Sequence, residues 1–477
     1  MIDAAETEVP IPIPVEVESV APITLPIAPN LQPWIARRAL RTSLWASTMD
    51  GIFAAIFSNI AGGVLLSHFL IELKASAFEI GLLSSIPMVV NLLQPLGAFL
   101  GDRTTSRHYY CLWIFGTSRL LWLMLVVGIG MNNLGLTNPH RLVVLTLAIV
   151  LATHFLGSLG SSSWLSWMAT LVPARLRGRY FGLRNSAGSL TTLLCVPIAG
   201  WVISNWLGGA IQGYGVVLLV GVIAGLISIG FQNFMVDVNP QVQNAHPNQS
   251  GIASEEAPAS GLGVGEWTAA LWEILQQPNF LRFLLYFSGW MFAVNLSAPF
   301  FNFYLLETLQ LDVTWVTLYN SLHSGAHLLL LMLWGRIADR IGNRSVLTWV
   351  GILVAITPLL WLGVGTRSLD LWLVLPLLHL LAGATWSAID LCSNNLQLGV
   401  APMRHQSSYF AIAAAVAGVS GALGTTLGGV LAELPTYGGV LGVFALSSVL
   451  RLLALIPLVF VREERSRSLL GSPVITH

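Results

Sequence analysis

The chain has 477 residues, of which 55% are hydrophobic and only 9% are charged, and its mean hydropathy is +0.74. Soluble proteins carry about a quarter charged residues, so this composition excludes a water-soluble enzyme, a nucleic-acid-binding protein and a disordered regulator. Lys plus Arg and Asp plus Glu both total 22, so no net charge attracts nucleic acid or an acidic partner. The sequence therefore predicts a polytopic protein embedded in a lipid bilayer.

Residues 1–33 differ from the rest of the chain in composition. They contain proline at every few positions and no Lys or Arg. A secretory signal peptide has a basic start and an unbroken apolar stretch, and this segment has neither. We therefore expect residues 1–33 to form a disordered cytoplasmic tail.

Twelve segments are apolar and long enough to cross a bilayer, which takes about 20 mostly apolar residues. They predict an all-α fold of two six-helix bundles, 34–237 and 281–462, with a cytoplasmic linker at 238–280 and a cytoplasmic tail at 463–477. Apolar residues at helical spacing within 267–275 predict a short interfacial helix in the linker. The twelve segments lie near residues 44–70, 78–101, 108–130, 142–172, 180–206, 213–237, 281–306, 313–334, 345–365, 371–400, 407–432 and 437–461.

Basic residues are distributed unevenly between the two sides of these segments. Seventeen arginines, Arg184 among them, fall on the side of the termini, against only Lys74, Arg141 and Arg367 on the other side. Because Lys and Arg are enriched in cytoplasmic loops, both termini are expected in the cytoplasm and the protein in the inner (cytoplasmic) membrane.

The chain also repeats itself. Asp102-Arg103-Thr-Thr-Ser-Arg107 follows the second segment, and Asp339-Arg340-Ile-Gly-Asn-Arg344 follows the eighth, at an offset of 339 − 102 = 237. Gly200 and Gly429 belong to a second matched pair of segments, at an offset of 229. Two matched halves predict two similar bundles related by an axis along the membrane normal.

The segment Gly335-Arg-Ile-Ala-Asp339-Arg340-Ile-Gly342-Asn-Arg344 resembles the loop signature of the major facilitator superfamily, in a bacterial-type branch. The resemblance implies two six-helix bundles around a cavity lined by the first, fourth, seventh and tenth spans, and transport by alternating access. In one interpretation the repeated loops form a cytoplasmic gate. In the other, their residues only form turns and set the orientation in the membrane through their positive charge. The gate residues in the first interpretation are Asp102, Arg103, Arg107, Gly335, Asp339, Arg340 and Arg344.

The tenth span carries a stripe of polar residues at steps of three or four, which places them on one face of a helix. Unpaired polar groups that face lipid cost several kcal/mol, so this face is expected to border water or another helix. We expect His323 and His327 of the eighth span, in contrast, to have a structural role. The predicted substrate cavity and coupling residues are Asp50, His154, Asn295, Asn302, His379, Trp386, Asp390, Asn394 and Gln397.

Two arginines, Arg119 and Arg451, also lie within spans, at depths that match Asp50 and Asp390 respectively. Because a buried charge is tolerated when it is paired, we expect intramembrane pairs Asp50–Arg119 and Asp390–Arg451. Such pairs act either as permanent struts or as switches that break when a proton or substrate binds.

These patterns predict a secondary transporter of a small organic solute that acts as a monomer, without a metal or a cofactor. No nucleotide-binding loop occurs, so coupling would use an ion gradient, and protons carried by Asp50 or Asp390 are favoured. Val196-Pro197-Ile-Ala-Gly200-Trp201 partly matches an exporter motif of the superfamily and favours export over import. The alternatives are a uniporter, or a non-transporting receptor or assembly factor that holds a pigment or lipid.

Overall fold

The computed structural model describes residues 37–104, 106–172, 177–237, 277–400 and 406–462. The predicted tails 1–33 and 463–477 and the predicted interfacial helix lie outside these residues. Within these ranges the chain forms fifteen α-helices and no strand. The helices of the N-terminal half are α1 (Arg37–Ile60), α2 (Gly63–Glu72), α3 (Ala77–Val90), α4 (Gln94–Asp102), α5 (Arg107–Asn133), α6 (Pro139–Leu171), α7 (Arg177–Ser204) and α8 (Ala210–Gln232).

The C-terminal half repeats this arrangement. This half also contains two π-helices, Tyr304–Thr308 and Asp370–Val374. The helices of this half are α9 (Pro278–Ser297), α10 (Phe300–Phe303), α11 (Val313–Ile341), α12 (Asn343–Leu360), α13 (Leu375–Val400), α14 (Gln406–Ala432) and α15 (Gly439–Leu458).

These helices make up twelve spans. Eleven spans in the described residues are long and apolar enough to cross a membrane. The remaining one is α11, whose 29 residues include two histidines and a charged last turn that lower its mean hydropathy. The predicted fold class, an all-α polytopic protein, is confirmed.

Three spans are divided rather than continuous. The first breaks between α1 and α2, where Gly63 has a φ of +57° that favours glycine. The second passes through a 3-10 turn, Asn91–Leu93, between α3 and α4. The seventh is interrupted at Ala298–Pro299, because proline cannot donate the helical hydrogen bond at that point.

The two ends of the molecule are distinct. We call the end that carries Arg37 and Arg462 the proximal end, and the end that carries the α2–α3 turn the distal end. The halves meet through antiparallel helix pairs, α3 with α14 and α7 with α11. The repeated glycines make both contacts close: a Cβ on Gly200 would lie 2.6 Å from Thr317 Oγ1, and one on Gly429 would lie 2.9 Å from Phe78 Cα.

Hydrogen bonds reinforce this contact at the distal end. The Phe78 N–H, in the first turn of α3, donates to Glu433 Oε1 at 2.8 Å, and the Ser204 hydroxyl donates to Asp312, the N-cap of α11. Both join the N-terminal half to the C-terminal half. These two hydrogen bonds hold the halves together at the distal end.

Candidate functional site

A polar cavity lies between the halves, on the proximal side of these contacts. It consists of three chambers that all include Thr192 of α7. The chamber that contains Asp390 shares Ser189 with the chamber that contains Arg184. The chamber that contains Arg184 shares Asn59 with the chamber that contains Asn302. The cavity is therefore continuous along one face of α7.

The chambers differ in the charged groups they contain. The acidic chamber has a volume of about 440 Å³ and contains Asp390, His323 and His327. The middle chamber, about 230 Å³, is lined by amides and hydroxyls, among them those of Asn302 and Asn320. The arginine chamber, about 350 Å³, lies between α1 and α7; its lining is Gly51, Ala55, Ser58, Asn59, Arg184, Asn185, Gly188, Ser189 and Thr192.

In the acidic chamber, Asp390 and His327 form an ion pair across α13 and α11. His327 Nε2 lies 3.0 Å from Asp390 Oδ2, and the two side chains are 31% and 56% exposed. Trp386, one turn before Asp390, lines the same chamber. α11 turns both His323 and His327 towards this chamber, and their expected structural role stays a prediction.

The residues that form the polar stripe of α13 lie in different environments. His379 is only 7% exposed; its Nδ1 donates to Leu375 O at 2.8 Å, and its ring packs against Tyr319 and Trp361. A Cβ on Gly383 would lie 2.1 Å from His323 O, so this position serves helix packing. The prediction of His379 as a cavity residue is therefore wrong: α13 crosses closely packed helices here before it reaches the chamber.

The other predicted cavity residues are also spread out. Asn302 lines the middle chamber and accepts a hydrogen bond from Asn320 Nδ2 at 3.0 Å. Asn295 donates to Met291 O in its own helix and borders Gly421 of α14. His154 is exposed on α6 and lines none of the three chambers. Asn394 is exposed and Gln397 partly buried, both on the proximal side of Asp390.

Asp50 does not face the cavity openly but lies in a buried network, with 3% of its surface exposed. Its Oδ1 accepts hydrogen bonds from Ser228 Oγ at 2.6 Å and from Gln232 Nε2 at 3.0 Å. Arg119 Nη2 donates to the same Ser228 hydroxyl at 3.2 Å, so a serine separates the two charges. The expected direct pair Asp50–Arg119 is therefore wrong, because the closest arginine to Asp50 is Arg184 at 3.7 Å.

Arg451 lies at a three-helix junction of α9, α12 and α15, with 2% of its surface exposed. Its guanidinium donates to Val354 O and to Ser297 Oγ, each at 2.9 Å. Asp390 is on the cavity side of α13 and has His327 as its partner. The expected pair Asp390–Arg451 is wrong, because similar depth in the bilayer does not place two side chains on facing sides of their helices.

The predicted gate residues all lie at the proximal end. Asp102 ends α4, and exposed Arg103 and buried Arg107 follow it. Asp339 and Arg340 are exposed on the last turn of α11, one turn beyond Gly335, and Arg344 opens α12. Both repeated loops are thus at the end of the molecule opposite to the closed distal contacts.

Arg184 is the cavity residue that the sequence patterns missed. It was counted with the arginines of the cytoplasmic side, although it lies seven residues inside α7. The signal that identifies it is the polar first half of this span, in which Asn185, Ser186, Ser189 and Thr192 follow the arginine.

The described residues thus form two six-span helical halves around a polar cavity. The chain belongs to the MFS_1 like family, whose model matches residues 57–437. It is therefore a multi-pass membrane transporter of the major facilitator type. A comparison with curated proteins gives no match.

Solved structures share this fold at low sequence identity. The nucleoside transporter NupG is 14% identical, with a TM-score of 0.64 over 89% of this chain and 98% of that one. A bacterial homologue of the iron transporter ferroportin, in an inward-facing state, is 12% identical, with a TM-score of 0.63 over 89% and 98%. A D-xylose–proton symporter is 16% identical, with a TM-score of 0.62 over 89% and 98%.

Proposed function

We propose that this protein is a proton-coupled secondary transporter that carries a small organic solute across the cytoplasmic membrane by alternating access. The observation that carries the proposal is the Asp390–His327 pair in the wall of the cavity between the halves. Histidine changes its charge between about pH 5 and pH 8. Asp and His side chains form proton relays in membrane transporters, and here a carboxylate and an imidazole lie 3.0 Å apart in the cavity wall.

The positions of the interface contacts support alternating access. The distal hydrogen bonds of Glu433 and Asp312 hold one end closed, and the cavity lies on the other side of them. The arginine distribution favours a cytoplasmic location for the proximal end, and with that orientation the arrangement is inward-facing. Rocking of the halves would break the distal contacts and bring together the proximal loops that contain Asp102 and Asp339.

The similarity to a D-xylose–proton symporter favours the same class of coupling, although it extends to the fold alone. Export is favoured over import by the partial exporter motif in α7, where Gly200 packs closely against Thr317 of the opposite half. The coupling residues we propose are Asp390 and His327; Asp50, enclosed in hydrogen bonds, has a structural role.

One observation favours a different function, the binding of a lipid or pigment. An apolar groove of about 860 Å³ runs between α7, α11 and α13 and shares Leu193 and Gly325 with the acidic chamber. An apolar ligand in this groove would reach the cavity from the bilayer. Solute flux through the purified protein separates this candidate from a transporter.

Proton coupling can be tested with purified full-length protein in liposomes that contain a pH-sensitive dye. Members of a metabolite library are added outside, and both internal pH and solute uptake are recorded. We expect a transported solute to move protons, and Asp390→Asn and His327→Gln to abolish the pH change while solute exchange continues. His140→Gln is the matched control, because His140 is a 70% exposed histidine at the distal end.

The other outcomes are distinct. Solute uptake without any pH change, equal in the wild type and in Asp390→Asn, would identify a uniporter and contradict proton coupling. Binding of library compounds without flux of any of them would contradict transport and support the lipid- or pigment-binding candidate.

A further inference from the structure

The guanidinium of Arg184 is held flat in the wall of the arginine chamber. It lies over the ring of Trp164, with Cζ 4.6 Å from the ring centroid, and Nε donates to Ser47 O at 3.2 Å. Gly51 of α1 lies beside the guanidinium, and an added Cβ there would lie 3.1 Å from Cζ and from Nε. The contacts with Trp164, Ser47 and Gly51 therefore fix the orientation of the Arg184 guanidinium. They also require that residue 51 of α1 has no side chain.

The terminal nitrogens of Arg184 are left without hydrogen-bond acceptors among the described residues. Nη2 is 3.7 Å from Asp50 Oδ2, which is too far for a hydrogen bond. The other oxygen of Asp50 is already engaged by Ser228 and Gln232. Arg184 thus presents donors to the chamber that it lines.

The charges of this region do not balance. Within the described part of the network, Asp50 is the one carboxylate, and Arg119 and Arg184 are two cations around it. The described network therefore carries one positive charge in excess, which is costly at membrane depth unless an anion meets it, and Arg184 is the cation of the network that lines a chamber. A guanidinium with two free nitrogens on one edge matches a carboxylate in a bidentate arrangement.

We infer that Arg184 binds the anionic group of the transported solute, and that the substrate class is small organic monocarboxylates. The arginine chamber joins the acidic chamber through Ser189 and Thr192, so one solute can extend from Arg184 towards Asp390. A second carboxylate on the solute would meet the like charge of Asp390, which favours a single negative charge. This inference rests on the proposed transport function and names the substrate class for the same cavity.

Binding can be measured by thermal unfolding of the purified full-length protein, because a ligand of the folded state raises the apparent stability. The probes are lactate, benzoate and octanoate, each compared with its neutral amide at equal ionic strength. We expect at least one acid to raise the melting temperature while its amide does not. Arg184→Gln should weaken that binding at least tenfold, and Arg184→Lys less, since lysine keeps the charge but not the planar fork.

Two further variants keep the test decisive. Arg141→Gln removes an exposed arginine outside the cavity and should leave binding unchanged. Gly51→Ala keeps the charge of Arg184 but displaces its guanidinium, so it should weaken acid binding even where Arg184→Gln fails to fold. Equal stabilisation by acids and amides, wild-type acid binding in both Arg184→Gln and Gly51→Ala, or no stabilisation by any of the acids would each overturn the inference.

The result is distinguishable from a failure of the proposed function. Proton-linked flux of a neutral solute, with no acid binding, would leave the transport proposal standing and remove the monocarboxylate class. Acid binding that depends on Arg184, without proton-linked flux, would support the binding of monocarboxylates and contradict proton-coupled transport.

Discussion

The two halves share one helical arrangement but accommodate their buried charges differently. In the N-terminal half, the carboxylate of Asp50 is enclosed by Ser228, Gln232 and Arg184. In the C-terminal half, the carboxylate of Asp390 faces the cavity, and the deeply buried charge is Arg451. The first half encloses its acid, and the second half exposes it to water.

The hydrogen-bonding capacity of the two groups explains this difference. A guanidinium carries five donors, and some of them can bond to backbone carbonyls, as Nη1 of Arg451 does to Val354 O. An ionised carboxylate accepts only, and the amides of a helix are already engaged, so it needs side-chain donors or water. A membrane helix can therefore bury a single arginine without an acid more easily than a single aspartate without a donor.

The largest expected effect is the loss of the enclosed carboxylate. Asp50→Leu leaves Arg119 and Arg184 buried without an opposite charge, and removal of one partner of a buried pair costs about 3–5 kcal/mol. The unfolding of purified protein in detergent measures this loss. Asp50→Asn keeps an acceptor for Ser228 and should lose less; equal stability of Asp50→Leu and wild type would show that the network contributes nothing.

Arg451→Met should cost less, about 1–3 kcal/mol, which is the penalty for buried groups that lose a hydrogen bond. No carboxylate is left behind, and Ser297 keeps its contact with Ser447 Oγ at 2.9 Å. The same unfolding measurement applies. A loss of stability as large as that of Asp50→Leu would mean that the buried arginine of the C-terminal half contributes as much as the enclosed aspartate of the N-terminal half.

Asp312→Ala removes the N-cap of α11 and the distal contact with Ser204, and loss of an N-cap costs about 1 kcal/mol. We expect greater labelling of a cysteine introduced at Thr317, which is buried against Gly200 of the other half, in this variant than in a variant that keeps Asp312. Unchanged labelling would show that the contact does not hold the distal end closed.

The same contact should depend on pH. Burial raises the pKa of Asp312, but hydrogen bonds from Ser204 and Thr314 outweigh burial and hold the pKa below its ordinary value of 3.8. A lowered pKa contributes stability that is fully present above the ordinary value and is lost as the pH falls through the lowered one. Distal labelling, expressed relative to that of an exposed cysteine because thiol reactivity itself falls with pH, should therefore be constant near neutral pH and rise only below about pH 4, and Asp312→Ala should remove this rise.

Asp390→Asn should have the smallest effect on stability, under about 1 kcal/mol, because exposed ion pairs contribute little. Its expected effect is on coupling alone. A measurement of both quantities on one preparation sharpens the comparison: Asp50→Leu should lose stability, and Asp390→Asn should lose the pH response. A strongly destabilised Asp390→Asn would assign this aspartate a structural role as well.

Sequence patterns predicted the spans and the repeat because apolar length and loop motifs are local properties of the chain. They also gave the depth of Asp50, Asp390 and both arginines, since depth follows from the helical rise. They did not give the direction in which each side chain points across a bundle, which depends on packing between distant helices. For this reason the predicted pairs Asp50–Arg119 and Asp390–Arg451 were wrong. His379, which is buried between helices, was assigned to the cavity, and His327 and Arg184, which line the cavity, were not assigned to it.

The break in the first span has a consequence for hydration. At Gly63, where α2 begins, the first amides of the new helix have no carbonyl one turn earlier to bond. Lipid cannot satisfy them, and irregular backbone at this depth is stable only beside protein or water. Because Gly63 and Val64 line the middle chamber, we expect water in that chamber to accept hydrogen bonds from these amides, which makes the break in the span a fixed point of hydration between the halves.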